Sequence, residues 1–210
     1  MTSTDAPRRG RPPSGGRAAI LVAALDLLRE RGASRLTTKE VAVRAGVSEG
    51  SVFYHFTDRT GLMTAVIEDG LATLKSATTT GVSGDDVSTV VESFAAGVEA
   101  LLDPVLTVLV AAQSDAELRD GVAGYLTANN LGPHRGVLAL GGYLATQQAR
   151  GAIRDDVDPV AVAFLVIGSC FMRVGQRQLI DAAYGSGLPD RSALVATLMT
   201  LLAPAPAPPR

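Results

Sequence analysis

The chain has 210 residues, 47% of them hydrophobic, and a formal charge of −2. That length allows one or two domains, and the apolar content is too high for a disordered chain. A single cysteine, Cys170, excludes an intrachain disulfide framework or a zinc site of paired cysteines, and a reducing cytoplasm is the expected setting.

The charge is unevenly spread. Residues 1–60 hold ten Lys/Arg against six Asp/Glu, while the remainder holds nine against fifteen. A basic head on an acidic body suits contact with a polyanion.

Residues 1–16 are rich in Pro, Gly, Ser and Arg and offer nothing to bury, so they read as a disordered basic arm. Ile20, Ala23, Ala24, Leu27 and Leu28 then recur at helical spacing over 17–31, and Gly32 closes that helix. Asp26, Arg29 and Glu30 interrupt the apolar stretch, which distinguishes it from a signal peptide. Thr37-Thr38-Lys39-Glu40 is a capping box that opens a helix to Ala45, and Gly46 ends it. Ser48 caps a third short helix ending near Tyr54–Phe56, and Asp58 caps a fourth that runs to about Thr78.

After a break at 81–85, a fifth helix is expected over 86–102. Asp103-Pro104 reads as a cap with proline at the first position of a sixth, ending near Gln113. Residues 115–131 and 134–149 read as helices separated by Gly132-Pro133. Asp158-Pro159 starts a long helix to about Ala183, and a last helix spans 190–202. Residues 203–210 alternate Ala and Pro and read as an extended tail. The expected fold is therefore all-α, with no strand. No uncharged apolar run approaches the ~20 residues of a membrane span, so no membrane partner is expected.

Residues 37–56 carry the chemistry. Two short helices joined by Ala45-Gly46-Val47-Ser48 have the spacing of a helix-turn-helix. Val41, Ala42, Ala45, Val47, Val52 and Phe56 fall toward the first helix. Ser48, Glu49, Ser51, Phe53, Tyr54 and His55 are left on an open face that suits the major groove. An ordinary helical hairpin with a solvated face has the same pattern.

The segment from Thr37 to Leu62, with Val41-Ala42, Ala45-Gly46-Val47-Ser48 and Val52-Phe53-Tyr54-His55-Phe56, resembles the N-terminal domain of the TetR family of bacterial transcriptional regulators. Ala23-Ala24-Leu25-Asp26-Leu27-Leu28 and Arg31-Gly32 resemble its first helix. The resemblance covers about 50 of the 210 residues. It implies an N-terminal three-helix DNA-binding domain (17–60) and a helical effector-binding and dimerisation domain (61–202). It also implies a homodimer on a double-stranded operator.

Carried over residue by residue, the resemblance places Thr38 and Lys39 at phosphate and base edges. It sets Glu49, Gly50 and Ser51 at the start of the recognition helix, and His55 and Arg59 at phosphates. Phe53 stands where the family commonly has tyrosine and lacks its hydroxyl, although Tyr54 is adjacent. Glu49 either accepts from cytosine N4 or faces solvent near the helix start. Phe53 either touches a thymine methyl or joins the core.

Arg8-Arg9-Gly10-Arg11-Pro12 in the arm resembles the core of AT-hook peptides. Arg9 and Arg11 suit a narrow A·T minor groove, where the negative potential is strongest, and a solubilising tail is the plainer reading.

No catalytic, phosphate-loop, dinucleotide or metal motif occurs, and the only histidines are His55 and His134, so neither an enzyme nor a cofactor nor a metal is expected. Cys170 lies in an apolar run and reads as a buried thiol. The body supplies Phe94, Gln113, Tyr125, Asn129, His134, Tyr143, Gln147 and Phe171 as candidates to line a pocket for a small, largely apolar effector. Two stripes at helical spacing mark the expected dimer interface. One holds Val160, Ala163, Phe164, Ile167, Phe171 and Val174, and the other Leu194, Val195, Leu198, Leu201 and Leu202; either also suits the monomer's own core. The resulting function is a regulator, expected to be a repressor, released from a pseudo-palindromic operator by its effector. The alternative is an effector-independent or architectural DNA binder.

Overall fold

The structure, a computed structural model, describes residues 16–32, 36–78, 82–179 and 188–204. Among these residues there are only helices and their connections, and no strand. In chain order the helices are α1 (Gly16–Arg31), α2 (Thr38–Ala45), α3 (Glu49–His55), α4 (Arg59–Thr78), α5 (Val87–Ala112), α6 (Ala116–Ala128), α7 (Pro133–Ala149), α8 (Pro159–Leu179) and α9 (Arg191–Leu202).

Local chemistry sets most of the boundaries. Gly32 ends α1 at φ +72, a left-handed conformation that disfavours a side chain, with its N–H on the Leu28 carbonyl at 2.9 Å. Asp58 accepts from the Gly61 N–H at 2.7 Å to start α4, and Asp115 accepts from the Leu118 N–H at 3.0 Å to start α6. Asp158 and Asp190 do the same for α8 and α9.

One expected boundary is absent. Asp103-Pro104 does not open a new helix: α5 runs unbroken from Val87 to Ala112 with Pro104 inside it. The Asp103 carboxylate does not cap, because it pairs with Arg29 of α1 and accepts from Gln178 of α8 at 3.0 Å. Pro104 removes one N–H from the ladder, and the helix continues because both of its halves are anchored in apolar cores. The expected extension of α8 beyond Leu179 to Ala183 lies outside the described residues.

Two cores result. The first joins α1–α4 to the end of α5 and to α6, through Ile20, Leu27, Val41, Val52, Leu62, Ile67, Val108 and Val122. The second joins the beginning of α5 to α7, α8 and α9, through Val91, Val98, Leu140, Leu144, Ala163, Ile167 and Val174. α5 is the element that enters both, and Asp103-Pro104 lies between its two anchored stretches.

As expected, the apolar runs are interrupted by charge, at Glu92, Glu99 and Asp103 in α5 and at Arg173 and Arg177 in α8. By length and mean hydropathy (1.8 and 1.5), Val87–Ala112 and Pro159–Gln178 are each long and apolar enough to cross a membrane. Here they pack against each other, and Arg173 of α8 donates to Glu99 of α5 at 2.8 Å.

Candidate nucleic-acid interface

The helix-turn-helix is built from a few local constraints. Thr37 accepts from the Glu40 N–H at 3.2 Å, and its hydroxyl donates to the Glu40 carboxylate at 3.2 Å. Arg31 donates to the same carboxylate at 3.3 Å, tying α1 to α2. Arg44 grips Glu30 through two bonds of 2.8 and 2.7 Å, a fork that holds the Glu30 carboxyl below its usual range.

Gly46 turns the chain at φ +67, with the Val47 N–H reaching back to Ala42 at 3.0 Å. An added Cβ there would meet nothing, so the requirement is for the backbone angle and not for space. Ser48 then caps α3, accepting from the Ser51 N–H at 3.2 Å.

α3 is seated by Val52 and Phe56, both buried, as are Val41 and Ala42 of α2. Ala45 and Val47 are partly buried against the same core. The opposite face is open: Glu49, Gly50, Phe53 and Tyr54 are exposed, Ser51 and His55 half-buried, and Lys39 of α2 exposed beside them. Phe53 is 51% exposed and Tyr54 77%, so Phe53 does not belong to the core. Thr38 donates to Glu49 at 2.8 Å, so the start of α2 and the start of α3 are linked directly. The Tyr54 and His55 rings stand edge to face at 5.1 Å.

One candidate contact is placed differently from expectation. Arg59 does not stand free on this face; it forms an ion pair with Asp115 at the start of α6. That pair joins the first turn of α4 to the body, and with the Leu118 N–H it keeps the Asp115 carboxyl below its usual range. Arg9 and Arg11 lie outside the described residues. The sequence reading also missed Arg17, whose guanidinium lies 5.6 Å over the Phe56 ring. Its charge was visible in the sequence, but its position at the end of α3 depends on how α1 packs.

The eight candidate pocket residues do not converge. Phe94, Tyr143 and Gln147 are buried, and Tyr143 and Gln147 both donate to the Gly84 carbonyl, at 3.1 and 3.3 Å. Phe171 is half-buried against the second core. Tyr125 packs on the first core, where burial and then a bond to Glu68 push its hydroxyl up to about 12. Gln113, Asn129 and His134 are exposed, and Gln113 and Asn129 bond within their own helices. None of the eight lines either of two cavities that the fold does contain.

One of these, of about 180 Å³, lies between α5, α8 and α9, lined by Ala95, Val166, Cys170, Leu194 and Leu198. Glu99 and Arg173 also line it. Cys170 is buried, and desolvation, then Glu99, push its thiol up to about 11, so it stays protonated. The other, of about 620 Å³, lies between α1, α5 and α8.

The dimer stripes are partly corrected. Ile167 and Val174 are buried in the monomer's own core and cannot face a partner. Leu194, Leu198 and Leu201 line the smaller cavity, Leu201 while still 62% exposed; Phe171 is half-buried and Phe164 is 65% exposed. The outward apolar face of α8 instead runs through Phe164, Leu165 and Met172. Among the described residues no cluster of three or more His, Cys, Asp or Glu is placed to hold a metal ion.

Known proteins resemble this arrangement. The family profile "Bacterial regulatory proteins, tetR family" matches residues 20–66. The HTH-type transcriptional repressor Rv3405c of Mycobacterium tuberculosis is 39% identical over 71 residues, 32% of this chain and 38% of that protein. The tetracycline repressor protein class A from transposon 1721 of Escherichia coli is 42% identical over 53 residues, 25% of this chain and 24% of that protein. The matched segment thus spans less than two fifths of the length of these curated relatives.

The fold is similar over much more of the chain. A TetR-family transcriptional regulator from Rhodococcus sp. superposes at TM-score 0.63 with 22% identity, covering 90% of this chain and 99% of that one. The regulator FadR of Bacillus subtilis, solved with stearoyl-CoA, superposes at TM-score 0.58 with 17% identity, covering 89% and 97%. Residues 20–66 thus match the TetR family of bacterial regulatory proteins, and the all-helical architecture of the chain is similar to that of solved structures of that family.

Proposed function

We propose that this protein is a transcriptional repressor that binds a pseudo-palindromic DNA operator as a homodimer and is released by a small-molecule effector. The observation that carries the reading is the open face of α3. A seven-residue helix, capped by Ser48 and pinned by Val52 and Phe56, presents Glu49, Gly50, Phe53 and Tyr54 to solvent. A face of small polar and aromatic side chains on a firmly seated short helix matches the width and the chemistry of the major groove. Lys39 and Arg17 flank it and serve the phosphates, and Arg9 and Arg11 reach the adjoining minor groove from the arm.

The second copy docks on the outward face of α8 and α9 through Phe164, Leu165, Met172 and Leu201. Two heads related by a two-fold axis then address successive major grooves. Release requires the effector to favour a spacing of the heads that does not fit DNA. The curated relatives named as repressors and the neighbour solved with stearoyl-CoA support the reading, and it places the protein in the cytoplasm with its DNA.

Selection from a pool of randomised duplexes with the full chain tests the proposal. An enriched two-fold-symmetric site is expected, and Lys39→Ala should weaken binding to it by about 1–3 kcal/mol. A pool that stays random after repeated rounds contradicts it.

A further inference from the structure

The cavity of about 620 Å³ at the seam of α1, α5 and α8 is of the size that holds small organic ligands. Its walls combine two kinds of surface. Leu28 and Val110 provide apolar area, and Arg29, Arg177, Gln178 and Asp103 provide charge and hydrogen bonds. Two guanidinium groups face one carboxylate, so the lining carries a net positive charge.

The excess charge is compensated from outside the cavity only at longer range: Asp26 lies 3.8 Å from Arg29, and Glu99 serves Arg177. Arg177 is the most distant, at 3.9 Å, of three arginines around Glu99; Arg173 lies at 2.8 Å and Arg191 at 3.4 Å. Arg177 is also half exposed. On the opposite wall Arg29 pairs with Asp103, and Gln178 donates to both the carboxylate and the carbonyl of Asp103. Asp103 therefore joins the first helix of the head to the last part of α8.

We propose that this seam binds a small organic carboxylate with an apolar body, whose carboxylate pairs with Arg177 and competes with Asp103 for Arg29. The size of the cavity and its Leu28 and Val110 walls favour an amphiphilic acid over an inorganic anion. Occupancy exchanges an internal ion pair for one with the ligand, and so loosens the tie between α1 and α5. Its consequence for DNA rests on the operator-binding reading above: the head shifts on the body and the operator is released.

Calorimetric titration of the full chain, without DNA, tests the site. The probes are octanoate and 4-phenylbutyrate, each against its primary amide. The acids should bind at least about tenfold more tightly than the amides, the ratio expected of one charge-assisted pair. Arg177→Met should cost about tenfold on the acids alone. Asp103→Asn keeps the shape of the wall and removes the competing charge, so it should tighten them. Arg150→Met, which removes a cation paired with Asp85 and not part of the seam, should leave them unchanged.

Equal binding of acid and amide overturns the proposal, as does acid binding indifferent to Arg177→Met or weakened by Asp103→Asn. Circular dichroism of each variant confirms its helical content, and the gain expected of Asp103→Asn cannot arise from misfolding. The two readings fail separately. Acid binding without any selected DNA site leaves the seam standing and defeats the operator reading, and a selected site without acid binding does the reverse.

Discussion

Thr38 of α2 donates its hydroxyl hydrogen bond to Glu49 of α3 at 2.8 Å, on the surface proposed to meet DNA. A threonine and a glutamate, one before and one after the turn, thus hold the two helices in register at their starts. The bond also leaves a carboxylate facing a polyanion. Replacing Glu49 with Gln keeps an acceptor for Thr38 and removes that charge. Affinity for arbitrary duplex DNA should rise severalfold. At the selected site, discrimination should fall by about 1–3 kcal/mol at one base pair if that carboxylate reads cytosine N4. Fluorescence anisotropy on selected and scrambled duplexes measures both, and a loss of non-specific affinity in Glu49→Gln contradicts the account.

The contact of α4 with α6 rests on a missing side chain. A Cβ at Gly121 would come within 2.4 Å of the Thr60 methyl. Overpacking of this kind costs about 1–3 kcal/mol, set against a helix-propensity gain of about 1 kcal/mol for alanine over glycine. Gly121→Ala should therefore lower stability by up to about 2 kcal/mol. Thr60→Ala in the same chain should restore it, because the Thr60 Cβ lies 3.6 Å away, an ordinary contact. Urea unfolding of the two single variants and the double variant checks this. A double variant no more stable than Gly121→Ala alone would count against the contact.

Asp115 links the same elements by charge. Its carboxyl is held below its usual range, first by the Leu118 N–H and then by Arg59. A folded-state value below the unfolded one, about 3.9, stabilises the fold fully above that pH. The stabilisation is lost as pH falls through the lower folded value. Asp115→Asn should therefore lower Tm at pH 6 and lose less on acidification below about pH 4. Thermal melts across that range test it, and identical acid limbs for both proteins would contradict the assignment.

Phe164 is 65% exposed on the outer face of α8, with Leu165 and Met172 beside it. Phe164→Arg removes no core contact, so the monomer's stability should change by no more than about 0.5 kcal/mol. The same change should dissociate the homodimer and abolish binding to a two-fold site. Light scattering of both proteins at micromolar concentration decides. A mass of one 21.6 kDa chain for the unmodified protein would remove this interface from the account.

How far the sequence could be read depended on the range of the forces involved. Caps and turns are local, so Thr37, Gly46, Ser48, Asp58 and Asp158 could be placed from their neighbours alone. Asp103-Pro104 misled for the same reason. As a dipeptide it has the form of a helix start, and only Arg29, 74 residues earlier, and Gln178, 75 residues later, divert the Asp103 carboxylate. The stripe over Val160–Val174 marked an apolar helix without saying which side faces inward; Ile167 and Val174 went to the core and Phe164 to the surface. The pocket candidates were chosen by side-chain type, and type does not bring residues together. The two cavities are lined instead by α1, α5, α8 and α9, through packing that no short segment encodes.

The most direct measurement is of the groove itself. Dimethyl sulfate methylates guanine N7, which opens into the major groove. On a selected duplex, bound protein should protect guanines in two clusters about 10–10.5 base pairs apart, or a multiple of that, centre to centre. Tyr54→Ala should reduce the protection in both clusters together. Guanine N7 positions that stay fully reactive in the bound complex would contradict the entry of α3 into the major groove.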